Sequence, residues 1–126
     1  MKKIIYCDEA PKPLGGYSQG VVAGELIFIS GQLPIDPKTN KFIEQDIKKQ
    51  TRQIFKNIER ILATEGAGLK DILKISVFLL TLNDFKGMDE VFRKSFSVEP
   101  PARTTSTVKE FPSEVLIEID VIALKT

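Results

Sequence analysis

Between residues 47 and 65, Ile47, Ile54, Phe55, Ile58, Ile61 and Leu62 recur at three- and four-residue spacing. Thr51 fills the gap, and Lys48, Lys49, Arg52, Lys56 and Glu59 point elsewhere. That period predicts a long amphipathic helix, capped by Asp46 and ended by Gly66. A second helix is predicted after Asn83 or Asp84, with Phe85, Met88, Phe92 and Phe96 on one face and Pro100-Pro101 ending it. Gly87 lowers its propensity by about 1 kcal/mol relative to alanine. Short runs rich in β-branched and aromatic residues predict strands at residues 3–6, 72–80, 103–108 and 115–124, the last two separated by a loop around Phe111-Pro112. VVA and LIFIS form a further pair, joined as a hairpin at Ala23-Gly24. LPIDPKTNKF, with its prolines and Lys-Thr-Asn tip, is predicted as a loop.

The predicted order is β, β, β, α, β, α, β, β, with no repeat or internal linker, and 126 residues fit one domain spanning residues 1–126. Two helices cover one face of such a sheet, yet LIFIS, KISVFLL and VLIEIDVIAL are apolar on both faces. In the last strand Val115, Ile117, Ile119 and Val121 share one side, expected under the helices. Leu116, Glu118, Asp120 and Ile122 share the other. Carboxylates among leucine and isoleucine suggest a surface buried by another copy of the chain, with a polar pocket inside it.

Composition narrows the chemistry. The chain has no histidine and one cysteine, Cys7. Serine–histidine and cysteine–histidine nucleophile systems are excluded, as are an intramolecular disulfide and the usual histidine or thiolate zinc sites. The formal charge of +1 supplies no field toward nucleic acid or anionic membrane. Without a signal-peptide pattern or a membrane-length apolar run, the expected location is cytoplasmic. Chemistry must rest on carboxylates, arginine, tyrosine, hydroxyls, backbone groups and water.

Arg103, in PPARTTSTV, is held at a strand entry stiffened by proline, and its planar fork suits a carboxylate or phosphate. Pairing with Glu118 or Asp120 from a neighbouring strand is the alternative, and pattern alone does not separate the two. Apolar neighbours would raise the Glu118 pKa while a nearby arginine would lower it, so its use as an acid or base competes with that of a solvated edge carboxylate. GGYSQG, residues 15–20, allows close backbone approach but lacks the spacing of a phosphate loop. SGQ, residues 30–32, suits either a pocket mouth or an ordinary turn. Cys7 belongs to no motif.

Taken together, GGYSQG, SGQLPIDPKTNKF, QTRQIFKNIERIL, KISVFL, DFKGMDEVF, PPAR and VLIEIDVIAL resemble, in order and over nearly the whole chain, the Rid (reactive intermediate deaminase, YjgF) family. The resemblance implies a chorismate-mutase-like α+β fold, a mostly antiparallel sheet with two helices on one face, assembled as a homotrimer. It further implies clefts between subunits that hydrolyse 2-imino or enamine acids such as 2-aminoacrylate to 2-keto acids and ammonia, without a metal or organic cofactor. On this resemblance Arg103 grips the substrate carboxylate and Glu118 orients the attacking water, with Tyr17 beside them. Ser30 and Gly31 line the cleft, as do Asp89, where the family usually has asparagine, and Thr105, where many members have cysteine. Asp89 either adds negative charge there or pairs with Arg103 or Lys94, and Gly16, replacing a frequent proline, loosens the Tyr17 loop. A non-catalytic trimer that senses keto acids is the alternative. Near-neutral charge argues against the nucleic-acid roles described for some members.

Overall fold

The computed structural model of the chain describes residues 1–125. Its strands are β1 (Lys2–Ile5), β2 (Gly20–Ala23), β3 (Leu26–Gln32), β4 (Ile35–Asp36), β5 (Lys41–Phe42), β6 (Ile72–Leu79), β7 (Ala102–Thr107) and β8 (Ile117–Leu124), and its helices are α1 (Ile47–Ala63) and α2 (Phe85–Ser95). Six strands form one sheet in the order β1-β2-β3-β8-β6-β7. Only β6 and β7 run parallel; the other neighbours are antiparallel. This is the α+β class that the family resemblance implied, with the element order that the pattern predicted. The stretch expected as a plain loop differs: β4 and β5 pair within it, and Asn40 takes a positive φ of 60° at the tip. Asparagine tolerates that conformation better than most residues, so the short hairpin closes without a glycine.

Local chemistry sets the helix ends. The Asp46 carboxylate accepts from the Lys49 amide at 3.0 Å, satisfying one of the free donors of the first turn. At the other end Gly66 adopts φ +73° and the Ala67 amide returns to the Leu62 carbonyl at 3.1 Å, so α1 stops at Ala63, slightly before the expected boundary. Thr51 sits in the buried stripe because its hydroxyl donates to the Ile47 carbonyl at 2.7 Å. Before α2, a tight turn over Leu82–Asp84 is capped by Thr81, whose hydroxyl accepts from the Asn83 amide. Asp84 occupies the N-cap position of α2, but its side chain makes no capping bond. The helix closes with the Phe96 amide on the Phe92 carbonyl, well before Pro100 and Pro101.

Both helices pack on one face of the sheet. Ile54, Ile58 and Ile61 of α1 and Met88 of α2 are fully buried with Ile27, Ile75, Val77, Ile117 and Ile119. Each such aliphatic side chain contributes about 1.5–3 kcal/mol by leaving water. Phe55 meets Phe92 and Phe96 edge to face, with ring centroids 5.0 and 5.5 Å apart. Phe85 departs from the expected stripe and remains exposed. Cross-strand register aligns Ile5, Gly20, Ile29, Val121, Ile75 and Arg103 in one row on the helix side. The adjacent row, Ile4, Val21, Phe28, Ile122 and Lys74, belongs to the other face, where Ile4 and Phe28 are exposed.

Buried amides tie the connections down. Gln50 donates to the Glu44 and Glu114 carbonyls and accepts from the Leu116 amide at 2.8 Å, which fixes the chain as it enters β8. Asn57 holds β4 through the Ile35 carbonyl at 2.9 Å. Gly87 is needed for packing. A methyl group there would lie 2.7 Å from Cγ2 of Ile47, a stiff β-branched side chain where α2 meets α1. Gly87→Ala should therefore destabilise the fold by about 1 kcal/mol or more, the overpacking outweighing the propensity gain. Urea denaturation tests this, and a raised midpoint would show that the helices have room to spare.

Candidate active site

Arg103 follows Pro100-Pro101 into β7, and strand parity sends its side chain to the helix side. Nη1 donates to Asp89 Oδ1 at 2.8 Å and lies 3.8 Å from the Met88 sulfur. The guanidinium carbon is 4.8 Å from the Phe92 ring centroid and 5.4 Å from that of Phe85. Phe85, absent from the core, thus serves as part of the arginine's platform. The second Asp89 oxygen accepts from Arg93 Nε at 2.8 Å, one turn along α2. The hydrogen bond from Arg103, then that from Arg93, hold the Asp89 carboxyl below its ordinary pKa. Asp89, Arg93 and Arg103 line an open cleft of about 580 Å³ with Phe96, Pro100 and Pro101. Thr105 shares the Arg103 face of β7 and is half-buried.

The alternative of Arg103 pairing with Glu118 or Asp120 is not realised. The strand beside β7 is β6, so β8 lies one strand further away, and both carboxylates project from the opposite face. Glu118 sits on β8 between β3 and β6, opposite Phe78, and is therefore no edge residue. Its side chain lies over Gly31, where a methyl group would overlap the carboxylate. The register between β3 and β8 shifts between Ile29 and Gln32, and this bulge places Gly31 beneath Glu118. Burial raises the Glu118 pKa, and the neighbouring Asp120 charge adds to the rise.

The remaining predicted residues gather on the Glu118 side. Ser30 donates to the Ser18 carbonyl at 2.6 Å, and its amide donates to the Gln19 carbonyl at 3.0 Å. Tyr17 is half-exposed, and its hydroxyl accepts from the Leu14 amide at 3.0 Å. Tyr17 and Gly31 line one small depression with Pro11 and Leu14. The YSQ segment is anchored by Gln19, whose buried side chain accepts from the Cys7 amide and donates to the carbonyls of Cys7 and Pro11. No three metal-binding side chains cluster among the described residues.

The predicted site therefore comes in two pieces. Tyr17, Ser30, Gly31 and Glu118 form one around β3 and β8. Asp89, Arg103 and Thr105 form the other between α2 and β7, on the opposite face. Residue types alone did not single out Arg93, Phe85 or Gln19. Only the four-residue spacing of Asp89 and Arg93 carried a signal for one of them.

The depressed Asp89 pKa gives a pH test with a definite sign. The ionised carboxylate stabilises the fold above its ordinary value of 3.8, and this contribution fades as pH falls toward and through the lowered folded value. Asp89→Asn should melt below wild type at pH 7, with the gap shrinking in that acid window. A gap unchanged down to pH 2 would show that the arginine pair contributes nothing.

The fold has counterparts among known proteins. A "RutC family protein" of Pyrococcus horikoshii is 48% identical over 125 residues, 99% of each chain. A "2-iminobutanoate/2-iminopropanoate deaminase" of Dermatophagoides farinae is 33% identical over 98% of this chain and 96% of its own. The crystal structure of E. coli TdcF with bound serine superposes with a TM-score of 0.90 at 35% identity, covering 98% of this chain and 99% of that one. No helix among the described residues is long and apolar enough to cross a membrane. The family model described as Endoribonuclease L-PSP matches residues 7–125, and with these relatives it makes the chain a member of the Rid (YjgF) family.

Proposed function

We propose that the protein hydrolyses 2-imino acids, including the imine tautomer of 2-aminoacrylate, to 2-keto acids and ammonia in clefts between subunits of a homotrimer. The observation that carries this reading is the division of the site: a carboxylate-binding arginine and a carboxylate of raised pKa on opposite faces of one sheet. One chain cannot bring them to a shared substrate, but a neighbour laid against the open face can. The exposed Ile4 and Phe28 on that face favour such a cover. Deaminase-named relatives support the reaction class.

Arg103 offers Nε and Nη2 to the substrate carboxylate, since Nη1 is committed to Asp89. Phe85 and Phe92 limit the guanidinium's motion, which orients the substrate before reaction. Across the cleft, ionised Glu118 accepts a proton from water as the water oxygen bonds to the imine carbon and the C=N π pair moves to nitrogen. The proton passes to nitrogen to give a carbinolamine, the hydroxyl proton then moves through Glu118 to the same nitrogen, and the C–N bond breaks so that ammonia leaves as the carbonyl forms. One water is consumed for each imine. An imine is already electrophilic, so placement and proton transfer suffice without a covalent nucleophile. Ser30 and Tyr17 shape the Glu118 half of the cleft, and Thr105 the Arg103 half.

The test generates 2-iminobutanoate with an amino-acid oxidase and follows its decay. Wild type should accelerate the decay, Arg103→Ala should lose about 100-fold or more of kcat/KM, and Glu118→Gln a similar factor. Absence of acceleration by wild type would contradict the reaction. Because the base must be ionised and burial raises its pKa, activity should fall on acidification at a pH above the ordinary 4.5, and Glu118→Gln should abolish that limb. Sedimentation should give a particle of roughly three 14.1 kDa chains. A monomer that turns over substrate would refute the shared cleft.

A further inference from the structure

Asp89 and Arg103 stand side by side on the wall of one cleft, which Phe92, Phe96, Pro100 and Pro101 extend. The arginine commits only Nη1 to protein partners, and Nε and Nη2 make no hydrogen bond among the described residues. Each Asp89 oxygen accepts from one arginine and retains a further lone pair, and the side chain keeps 20% of its exposure. The cleft wall thus presents a cationic edge and an anionic edge within the span of one small molecule. A carboxylate seated on Arg103 lies beside a like charge on Asp89. If the carbon next to that carboxylate also carries a protonated nitrogen, the same aspartate becomes a hydrogen-bond acceptor of opposite sign.

We propose that Asp89 is a specificity-determining residue that makes the Arg103 cleft favour zwitterionic 2-amino and 2-iminium acids over 2-keto acids of the same size. This rests on Arg103 as the carboxylate-binding residue. For the hydrolysis, substrate and product differ in that nitrogen, so Asp89 would retain the protonated imine and weaken the hold on the keto acid once ammonia has left. Arg93 tempers the effect, because its guanidinium shares the Asp89 charge at 2.8 Å. The competing role, a mere brace that holds Arg103 in position, makes a different prediction: its loss would affect both ligands alike.

Calorimetric titration at pH 7 with L-2-aminobutanoate and 2-ketobutanoate distinguishes them, because binding is read without turnover. Wild type should bind the amino acid more tightly. Asp89→Asn, nearly isosteric, should tighten ketobutanoate and loosen aminobutanoate, changing their affinity ratio by roughly tenfold or more. Arg93→Gln should move the ratio the other way, by strengthening the Asp89 field. An unchanged ratio in Asp89→Asn, with both ligands still weakened by Arg103→Ala, would overturn the role of Asp89 and leave the arginine site standing. Binding undiminished in Arg103→Ala, or no binding of either ligand by wild type, would overturn the arginine site and this inference with it.

Discussion

A pleated strand sends successive side chains to opposite faces, and hydrogen-bonded register carries that parity from one strand to the next. In this sheet parity places Arg103 in the row of Ile75 and Val121, beneath the helices, and Glu118 beside Phe78 on the other side. Neither assignment can shift alone. Moving Arg103 across would bring Ala102 and Thr104 under α2 in its place, and moving Glu118 would expose Ile117 and Ile119, both fully buried. The core therefore fixes the geometry of the two half-sites. The same core leaves Ile4, Val21, Phe28 and Ile122 on a face that no helix covers.

The two carboxylates of the candidate site are driven in opposite directions by their surroundings. Asp89 lies between two guanidinium groups and is held ionised. Glu118 lies over a bare glycine, with a second carboxylate near and no cationic partner among the described residues, and is pushed toward its neutral form. A carboxylate held ionised suits binding and discrimination, whereas a carboxyl whose pKa has moved toward neutrality suits proton transfer. Gly31 is the residue that lets this happen, because any side chain there would displace Glu118 from the sheet.

Much of the fold was legible from spacing. Ile54, Phe55, Ile58, Ile61 and Leu62 define α1, Asp46 and Gly66 bound it, and the alternation Ile117, Ile119, Val121 identifies the buried side of β8. Less legible were features created by tertiary contact. Phe85 fits the apolar stripe of α2 yet stays exposed, its ring centroid 5.4 Å from the Arg103 guanidinium carbon. Gly87 looks like a propensity defect until Ile47 is placed against it. The β4–β5 hairpin is too short to show a period. Both halves of the site could be nominated by residue type and family pattern. Their separation could not, since it follows from the register across β7, β6 and β8, which aligns Arg103 with Ile75 and Glu118 with Phe78.

The central claim is that Arg103 of one chain and Glu118 of another serve one substrate. Mixing Arg103→Ala with Glu118→Gln subunits, by joint unfolding and refolding, tests it directly. In a ring of three, every mixed particle would join an intact Arg103 from one variant to an intact Glu118 from the other in a single cleft. Two nearly inactive proteins in equal amounts should then regain about a quarter of the wild-type imine hydrolysis. A mixture no more active than its separate components, with mixed particles present by native mass spectrometry, would contradict the shared cleft.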